Sequence, residues 1–145
     1  MPGLAAKDVI DIQITVAKLD AWPEAAILAA GFTQAEPRCD HAPPGATLPP
    51  GELAKRLYKC RLRPANVHVR QAGRFNQRYP LLCRDYLRAH PGAAAAYGAI
   101  KQALATRFTD DCDAYYAVKD PVFDLIMAGA EDWARSTGWR VPHGD

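Results

Sequence analysis

The stretch that decides the fold covers residues 10–16 and reads Ile10-Asp11-Ile12-Gln13-Ile14-Thr15-Val16. Its β-branched apolar residues alternate with polar ones, which is the period-2 pattern of a strand with one buried face. Asp11, Gln13 and Thr15 share the opposite face. A carboxylate in the middle of a strand opposes strand propensity, and breaks of local rules concentrate at functional sites. Asp11 is therefore either a functional residue or part of a solvated face, and the stretch alone favours neither interpretation.

Composition limits the class of protein. The 145 residues suffice for one domain with a core. No apolar run approaches the roughly 18 residues that span a bilayer, and no secretory signal is recognisable. The sequence therefore predicts a cytoplasmic protein without a membrane partner, whose four cysteines are reduced thiols. We expect one domain over residues 1–138 and a flexible tail over residues 139–145.

The charge is unevenly distributed along the chain. Between Lys55 and His90 lie ten basic residues and a single acid, Asp85, whereas the remainder is net acidic. A basic middle favours an anion or nucleic-acid surface, and a solvated helix and hairpin face explains it equally well. The tripeptide Cys39-Asp40-His41 contains metal-ligand types, but no second ligand cluster accompanies it, so a metal site there is disfavoured.

The first half of the chain predicts a helix, a loop and a hairpin. Asp20 is the predicted N-cap of a helix that stops at Gly31. Five prolines predict a loop over residues 37–51. Strands are expected over residues 53–63 and 66–70, with a turn between them. This hairpin would place Lys59, Arg61 and Arg63 beside His68 and Arg70 on one polar face.

The second half predicts helices that begin at Pro80, Ala93, Asp113 and Pro121, with Asp120 as the N-cap of the last one and Gly138 as its end. Strands early and helices late predict an α+β domain with helices on one side of a small sheet. In the first of these helices, Arg84 and Arg88 are four positions apart. Their guanidinium groups repel unless an anion or a carboxylate lies between them, which favours a phosphate contact.

Several segments of the chain resemble the GrpB family, and they occur in the family's order at compatible spacing. They are PGLAAK (2–7) with IDIQ (10–13), NVHV (66–69), LLCRDYLRAHP (81–91), and the helical pattern that contains Tyr97, Lys101, Leu104-Ala105, either Tyr115 or Tyr116, and Lys119. The resemblance extends over nearly the whole sequence. It implies a nucleotidyltransferase-like, polymerase-beta-type fold, in which helices pack on a small mixed sheet and the C-terminal half is helical.

The resemblance also implies positions for functional residues. In the nucleotidyltransferase superfamily a Gly-Ser turn binds nucleotide phosphates, and a D-x-D strand holds two divalent metals. Asp11 stands at the first carboxylate position, Gln13 replaces the second, and a third acid would fall near His68. The family pattern continues upstream of PGLAAK with a helix and a Gly-Ser-Thr segment, whereas this sequence begins at Met1. We therefore expect either a start codon assigned too late or a reduced family member.

The resemblance implies an enzyme that transfers a nucleotidyl or phosphoryl group to a small molecule with Mg²⁺ or Mn²⁺. Its metal ligands would be Asp11 and His68. Asp11, His68 and Asp85 are the predicted catalytic residues. The predicted substrate- and phosphate-binding residues are Lys59, Arg70, Arg84, Tyr116 and Lys119.

Two other functions remain open at this stage. One is a non-catalytic nucleotide- or phosphate-binding accessory module, of the kind that relatives carry behind dephospho-CoA kinase. The chain has no P-loop, so it is not itself that kinase. The other is nucleic-acid binding, which is disfavoured because no zinc-finger, RRM or KH signature is present. The expected partner is a nucleotide or another phosphorylated small molecule, and an unpaired sheet edge would also invite a homodimer.

Overall fold

The computed structural model of the chain describes residues 8–36, 39–60 and 62–142. The PGLAAK segment (2–7) and residues 143–145 of the predicted tail lie outside the described residues. Within them the chain forms two compact units. The sheet unit contains residues 8–42 and 46–78, and the helical unit contains residues 43–45 and 79–142.

The sheet unit is built on four strands: β1 (Ile10–Val16), β2 (Thr33–Ala35), β3 (Lys55–Cys60) and β4 (Ala65–Gln71). Their order in the sheet is β1-β4-β3-β2. β1 pairs parallel with β4, and the other two pairings are antiparallel. The sheet is therefore mixed, which confirms the predicted α+β class, β1 and the hairpin. The sequence interpretation did not include β2, a three-residue strand.

The apolar face of this sheet forms the core of the unit. Leu19, Tyr58, Val67 and Val69 are buried in one cluster, and Trp22 packs against them. Leu19 belongs to a 3-10 helix, Leu19–Ala21, which precedes α1 (Glu24–Ala29). Alternate residues of β3 and β4 supply this face because side chains along a strand point to opposite sides.

The helical unit is held together by the apolar sides of its helices. It contains most of α2 (Phe75–Ala89), together with α3 (Pro91–Arg107) and α4 (Cys112–Thr137). Its buried core consists of Leu82, Cys83, Leu87, Tyr97, Met127, Ala130 and Ala134. None of the helices in the described part of the chain has the length and apolar character needed to cross a membrane.

Two prolines that were predicted to begin helices lie inside them. α2 begins five residues before Pro80, and α4 runs through Pro121 from a start at Cys112. The prediction of Asp120 as N-cap was therefore wrong: Asp111 caps α4, and its side chain accepts a hydrogen bond from the backbone N–H of Ala114. An internal proline removes one helix hydrogen bond. Buried residues lie on both sides of Pro80, such as Gln77 and Leu82, whereas the buried residues of α4 all follow Pro121.

The predicted cap of the first helix was also wrong. Asp20 lies within the 3-10 helix, and Pro23 occupies the N-cap position of α1 without a side-chain hydrogen bond. The predicted ends of two helices are confirmed. Gly138 terminates α4 in the left-handed region with φ of 68°, and Gly31 follows α1 with φ of 86°. Glycine adopts this conformation without the steric cost that a Cβ atom imposes.

Candidate functional site on the polar face of the sheet

Strand register brings the predicted N-terminal site residues onto one face. Asp11 pairs with Asn66, and Gln13 pairs with His68 across the parallel β1–β4 ladder. On the other side of β4, Lys59 pairs with Asn66. Paired residues in a sheet project to the same side, so these polar side chains form one surface. We call it the polar face; it consists of Asp11, Gln13, Thr15, Lys55, Lys59, Asn66, His68 and Arg70.

Asp40 lies at the centre of a buried hydrogen-bond network beside this face. Its carboxylate accepts from Lys55 Nζ at 2.6 Å, from Arg70 Nε at 2.9 Å and Nη2 at 3.0 Å, and from Asn76 Nδ2 at 3.0 Å. The side chains of Lys55 and Arg70 are only 6% and 8% exposed. Burial alone would raise the pKa of Asp40, but Arg70 and Lys55 outweigh burial and lower it. Asp40 therefore stays ionised, as the two buried cations require.

The Arg70 guanidinium uses all three of its nitrogens in hydrogen bonds within the protein. Two of its nitrogens bind Asp40, and its Nη1 donates to Gln13 Oε1 at 2.7 Å. The other end of the Gln13 amide donates from Nε2 to the backbone oxygen of Gln77 at 3.0 Å. The predicted phosphate-binding residue Arg70 is thus part of the packing that joins β1, β4 and the start of α2.

His68 lies between this network and Asp11. Its Nδ1 is 3.5 Å from Arg70 Nη2, and its Nε2 is 4.0 Å from Asp11 Oδ1. Burial, followed by the positive charges of Arg70 and Lys55, lowers the pKa of His68 to about 4. The ring is therefore neutral at pH 7. Because a guanidinium can only donate, we assign the lone pair to Nδ1 and the proton to Nε2, which faces Asp11.

Asp11 is the accessible carboxylate of the polar face. Its side chain is 70% exposed, and Oδ1 accepts from Asn66 Nδ2 at 2.8 Å. Two-metal phosphoryl-transfer sites need several anionic ligands. Among residues 8–36, 39–60 and 62–142, no group of three or more His, Cys, Asp or Glu side chains could hold a metal. Gln13 Oε1 is already bound by Arg70. The described residues therefore do not fit a two-metal centre.

The other predicted site residues lie in the helical unit. Asp85 accepts from Arg84 Nε at 2.8 Å and from Trp139 Nε1 at 3.1 Å, and it lies 3.5 Å from Arg88 Nη1. Burial would raise the pKa of Asp85, but its hydrogen bonds to Arg84 and Trp139 and the charges of Arg84 and Arg88 lower it. The anion between Arg84 and Arg88 is thus the chain's own carboxylate.

Lys119 and Tyr116, also in the helical unit, are neighbours on α4. Lys119 Nζ lies 5.0 Å from the centre of the Tyr116 ring and 6.0 Å from that of Phe123. It also binds Asp120 Oδ1 at 2.8 Å. The predicted site residues therefore form two groups. Asp11, Lys59, His68 and Arg70 share the polar face of the sheet unit, and Arg84, Asp85, Tyr116 and Lys119 belong to the helical unit.

The sequence interpretation missed the residues that organise the polar face: Asp40, Lys55 and Asn76. Asp40 follows a single backbone bridge between Cys39 and Ala54, which places the proline-rich loop beside β3. No local pattern indicates this contact, because the pairing residues are far apart in the sequence. The position of Lys55 could have been predicted from the sequence, because Lys55 alternates with Leu57 and Lys59 along the strand and therefore shares their face.

Comparison with known proteins identifies the family. A sequence profile described as GrpB protein matches residues 1–129. A dephospho-CoA kinase of Mycolicibacterium paratuberculosis is 43% identical over 96% of this chain, and the match covers 38% of that protein. A UPF0157 protein of Streptomyces coelicolor is 32% identical over 90% of this chain and 63% of its own length. The chain thus spans little more than a third of the kinase that it matches.

A solved structure shares the fold. The crystal structure of the conserved protein GrpB from Enterococcus faecalis matches 91% of this chain and 76% of its own chain, with a TM-score of 0.65 and 25% identity. The profile match, the related sequences and the shared fold agree with one another. The chain therefore belongs to the GrpB family.

Proposed function

We propose that this GrpB-family protein is a non-catalytic binding module for a phosphorylated small molecule of the nucleotide or CoA-precursor class. One observation carries the proposal. The polar face presents a single accessible carboxylate, Asp11, beside the neutral ring of His68, over a network in which the Asp40 carboxylate pairs with both Lys55 and Arg70. Such a surface is ordered before a ligand arrives, which lowers the entropy cost of binding.

The groups on this face suit both ends of a nucleotide. The Asp11 carboxylate is an acceptor for ribose hydroxyl groups, and the Nε2–H of His68 is a donor beside it. Lys59, which is exposed on β3, lies two strand spacings from Asp11, or roughly 10 Å. Its ammonium group would bind a phosphate as a point charge. The similarity to dephospho-CoA kinases supports CoA precursors as the first ligands to test.

A second candidate function is metal-dependent nucleotidyl or phosphoryl transfer. The observation that favours it is the approach of Asp11 Oδ1 and His68 Nε2 to 4.0 Å on one face, which offers two ligands to a single Mg²⁺ or Mn²⁺ ion. Binding a metal through Nε2 would require the ring proton to move to Nδ1, where it would face the Arg70 guanidinium. The binding module needs no such change, so we rank it first.

Thermal unfolding with a ligand panel tests the proposal. The panel contains ATP, dephospho-CoA, 4′-phosphopantetheine and inorganic phosphate, each with EDTA, Mg²⁺ or Mn²⁺. A ligand at about 100 times its Kd adds roughly 2.7 kcal/mol, which raises Tm by about 5 to 10 °C. We expect such a rise in EDTA, and we expect Asp11→Asn and Lys59→Gln to reduce it. Asp20→Asn, on an exposed side chain, is the matched control.

The outcomes are distinct. A rise that requires metal, with pyrophosphate or a transferred phosphoryl group in the products, would replace the binding module with the transferase. No rise with any ligand in the panel would overturn both functions for the polar face. A rise that Asp11→Asn and Lys59→Gln leave unchanged would place the ligand elsewhere on the protein.

A further inference from the structure

Asn76, near the start of α2, has a buried amide oxygen without a hydrogen-bond donor among the described residues. The residue is 2% exposed. Its Nδ2 donates to Asp40 Oδ2 and to the backbone oxygen of Ala54, both at 3.0 Å. Because both of these partners are acceptors, the two ends of the amide cannot be exchanged. Asn76 Oδ1 therefore requires a donor from outside this network.

The Lys55 ammonium group, in contrast, has more donors than acceptors. Its side chain is 6% exposed. Within residues 8–36, 39–60 and 62–142, its one hydrogen bond goes to Asp40 Oδ1 at 2.6 Å. An ammonium group carries three N–H donors. Two of the three therefore need acceptors that the network does not provide.

The network also carries more positive than negative charge. In the part of the chain that the structure describes, Asp40 is the one carboxylate that pairs with Lys55 or Arg70. Two cations and one carboxylate leave a net charge of +1. Burial, followed by the charges of Arg70 and Lys55, lowers the pKa of His68 to about 4, so its ring adds no charge at pH 7. Burial of an excess charge is costly, which favours an anion as the missing partner.

Three requirements therefore define this partner: a negative charge, oxygen acceptors for Lys55 and a hydroxyl donor for Asn76. A phosphate group that carries a P–OH meets all three. Water lacks the charge, and sulfate lacks the hydroxyl donor. The Asp40 carboxylate, which contacts both Lys55 and Asn76, also repels a fully ionised oxyanion more strongly than a protonated one.

We propose that Lys55 and Asn76 form a phosphate-binding site beside Asp40, in which the ammonium group donates to phosphate oxygens and Asn76 Oδ1 accepts from a phosphate hydroxyl. The site takes inorganic phosphate or the monoanion of a phosphate monoester. The inference rests on the proposed function for the class of ligand, and it adds the residues that recognise the phosphate.

The strand register relates this site to the rest of the polar face. Lys55 pairs with Arg70, and Lys59 pairs with Asn66, so the two lysines lie four residues apart on β3, or roughly 13 Å. The Asp40 side chain is 19% exposed, and the network therefore meets the surface at this carboxylate. Lys59 and the Lys55–Asn76 site are thus two separate positions for negative charge on one face.

Anion titrations of the unmodified protein test the site. The probes are inorganic phosphate, methyl phosphate and sulfate at constant ionic strength and pH 6, where about half of a phosphate monoester carries a hydroxyl. Binding is measured by calorimetry and by the ¹H–¹⁵N signal of the Asn76 side-chain amide. We expect phosphate to bind at least about tenfold more tightly than sulfate, because sulfate leaves Asn76 Oδ1 without a donor. Methyl phosphate should bind as well, and both phosphates should shift the Asn76 signal.

Three results would overturn the proposal: no phosphate binding, equal affinity for phosphate and sulfate, or phosphate binding that leaves the Asn76 signal unchanged. Binding of inorganic phosphate without methyl phosphate would restrict the site to the free anion. That outcome supports the site and excludes a phosphate monoester as its ligand.

Matched variants locate the cation. Lys55→Met should raise the Kd for phosphate at least about tenfold. It leaves Asp40 and Arg70 as a one-to-one pair, so we expect it to fold, as circular dichroism would show. Arg56→Met removes the same charge at the next position of β3, on the opposite side of the sheet, and should leave the Kd unchanged. Equal weakening by both variants would show a general charge effect and contradict the site. If Lys55→Met does not fold, the phosphate-to-sulfate ratio of the unmodified protein decides.

The same measurements separate this inference from the proposed function. If ATP and the CoA precursors do not bind while phosphate binds through Lys55, the proposed function fails and the phosphate site stands. If those ligands bind with an affinity that Lys55→Met leaves unchanged, and phosphate does not distinguish itself from sulfate, the proposed function stands and the phosphate site is wrong.

Discussion

Alternate residues of β4 serve two faces of the same sheet, and the two faces are stabilised in different ways. Val67 and Val69 are buried among Leu19 and Tyr58. Between them, His68 points to the polar face, where Arg70 is also buried. On the apolar face burial is favourable in itself, and an apolar side chain of similar volume can replace another at little cost. On the polar face burial is costly unless every charge has its partner.

Equally buried residues on the two faces therefore differ in how much stability is lost when they are replaced. Removing a methyl group from the apolar face leaves a cavity, and the loss grows with its volume. Removing one charge from the polar face leaves its partners buried and uncompensated, and the loss includes their whole desolvation cost. The four predictions that follow test this difference, beginning with the largest expected effect.

Asp40→Ala should be the most destabilising. It removes the shared partner of Lys55 and Arg70, whose side chains are almost completely buried. We expect the free energy of unfolding to fall by about 3 to 5 kcal/mol, measured by urea denaturation. Adding Lys55→Met removes one of the two buried cations that Asp40→Ala leaves without a partner. The double variant should therefore regain part of the lost free energy of unfolding. If Asp40→Ala lowers the free energy of unfolding no more than Val69→Ala does, the two faces do not differ in the cost of losing a buried group.

Val69→Ala should have an intermediate effect. Val69 is fully buried on the apolar face. Loss of two methyl groups together with the resulting cavity should cost about 2 kcal/mol in the same denaturation experiment. Val118→Ala, at an exposed position of α4, is the control and should change stability little. If Val69→Ala exceeds Asp40→Ala, apolar packing and not charge pairing dominates the sheet unit.

The polar face should also make stability depend on pH. The pKa of His68 is about 4 in the folded protein, below its usual value of 6.5. Between these values the unfolded chain binds more protons than the folded one. Above about pH 6.5, His68 is neutral in both states and does not lower the free energy of unfolding. As the pH drops from 6.5 toward 4, protonation of His68 in the unfolded chain lowers that free energy. Urea midpoints at pH 7 and 4.5 should show this fall, and His68→Gln should diminish it. An unchanged slope in His68→Gln would contradict the burial of a neutral ring.

Asp11→Asn should have the smallest effect on stability. Asp11 is mostly exposed and makes one hydrogen bond to Asn66. Exposed substitutions of this kind usually change the free energy of unfolding by less than about 0.5 kcal/mol. The urea midpoint should therefore match that of the unmodified protein. A large loss would show that Asp11 is a structural carboxylate like Asp40, and would weaken its assignment to ligand binding.

Much of this arrangement follows from local pattern. Period-2 alternation predicted β1, and the same rule placed His68 and Arg70 on one face of β4. The helical stripes predicted α3 and most of α4. The helix starts predicted at Pro80 and Pro121 were wrong, because one lost hydrogen bond interrupts neither helix.

The same sequence patterns identified only some residues of the candidate site. Asp11 and His68 were singled out, and the structure places them 4.0 Å apart. The commitment of Arg70 to Asp40 could not be foreseen, because 30 residues and a proline-rich loop separate the two. By contrast, the carboxylate between Arg84 and Arg88 belongs to their sequence neighbour Asp85, a local contact, although the sequence analysis favoured a phosphate there.

Local sequence pattern specified the period of β1, β4, α3 and most of α4, and therefore which of their side chains share a face, because backbone geometry fixes where successive side chains point. Tertiary structure alone decided which charges on that face are free to meet a ligand. That outcome depends on contacts between distant segments, and above all on the loop that brings Asp40 to Lys55 and Arg70. A buried cation requires a partner wherever the chain can supply one, and no local pattern specifies where that partner lies.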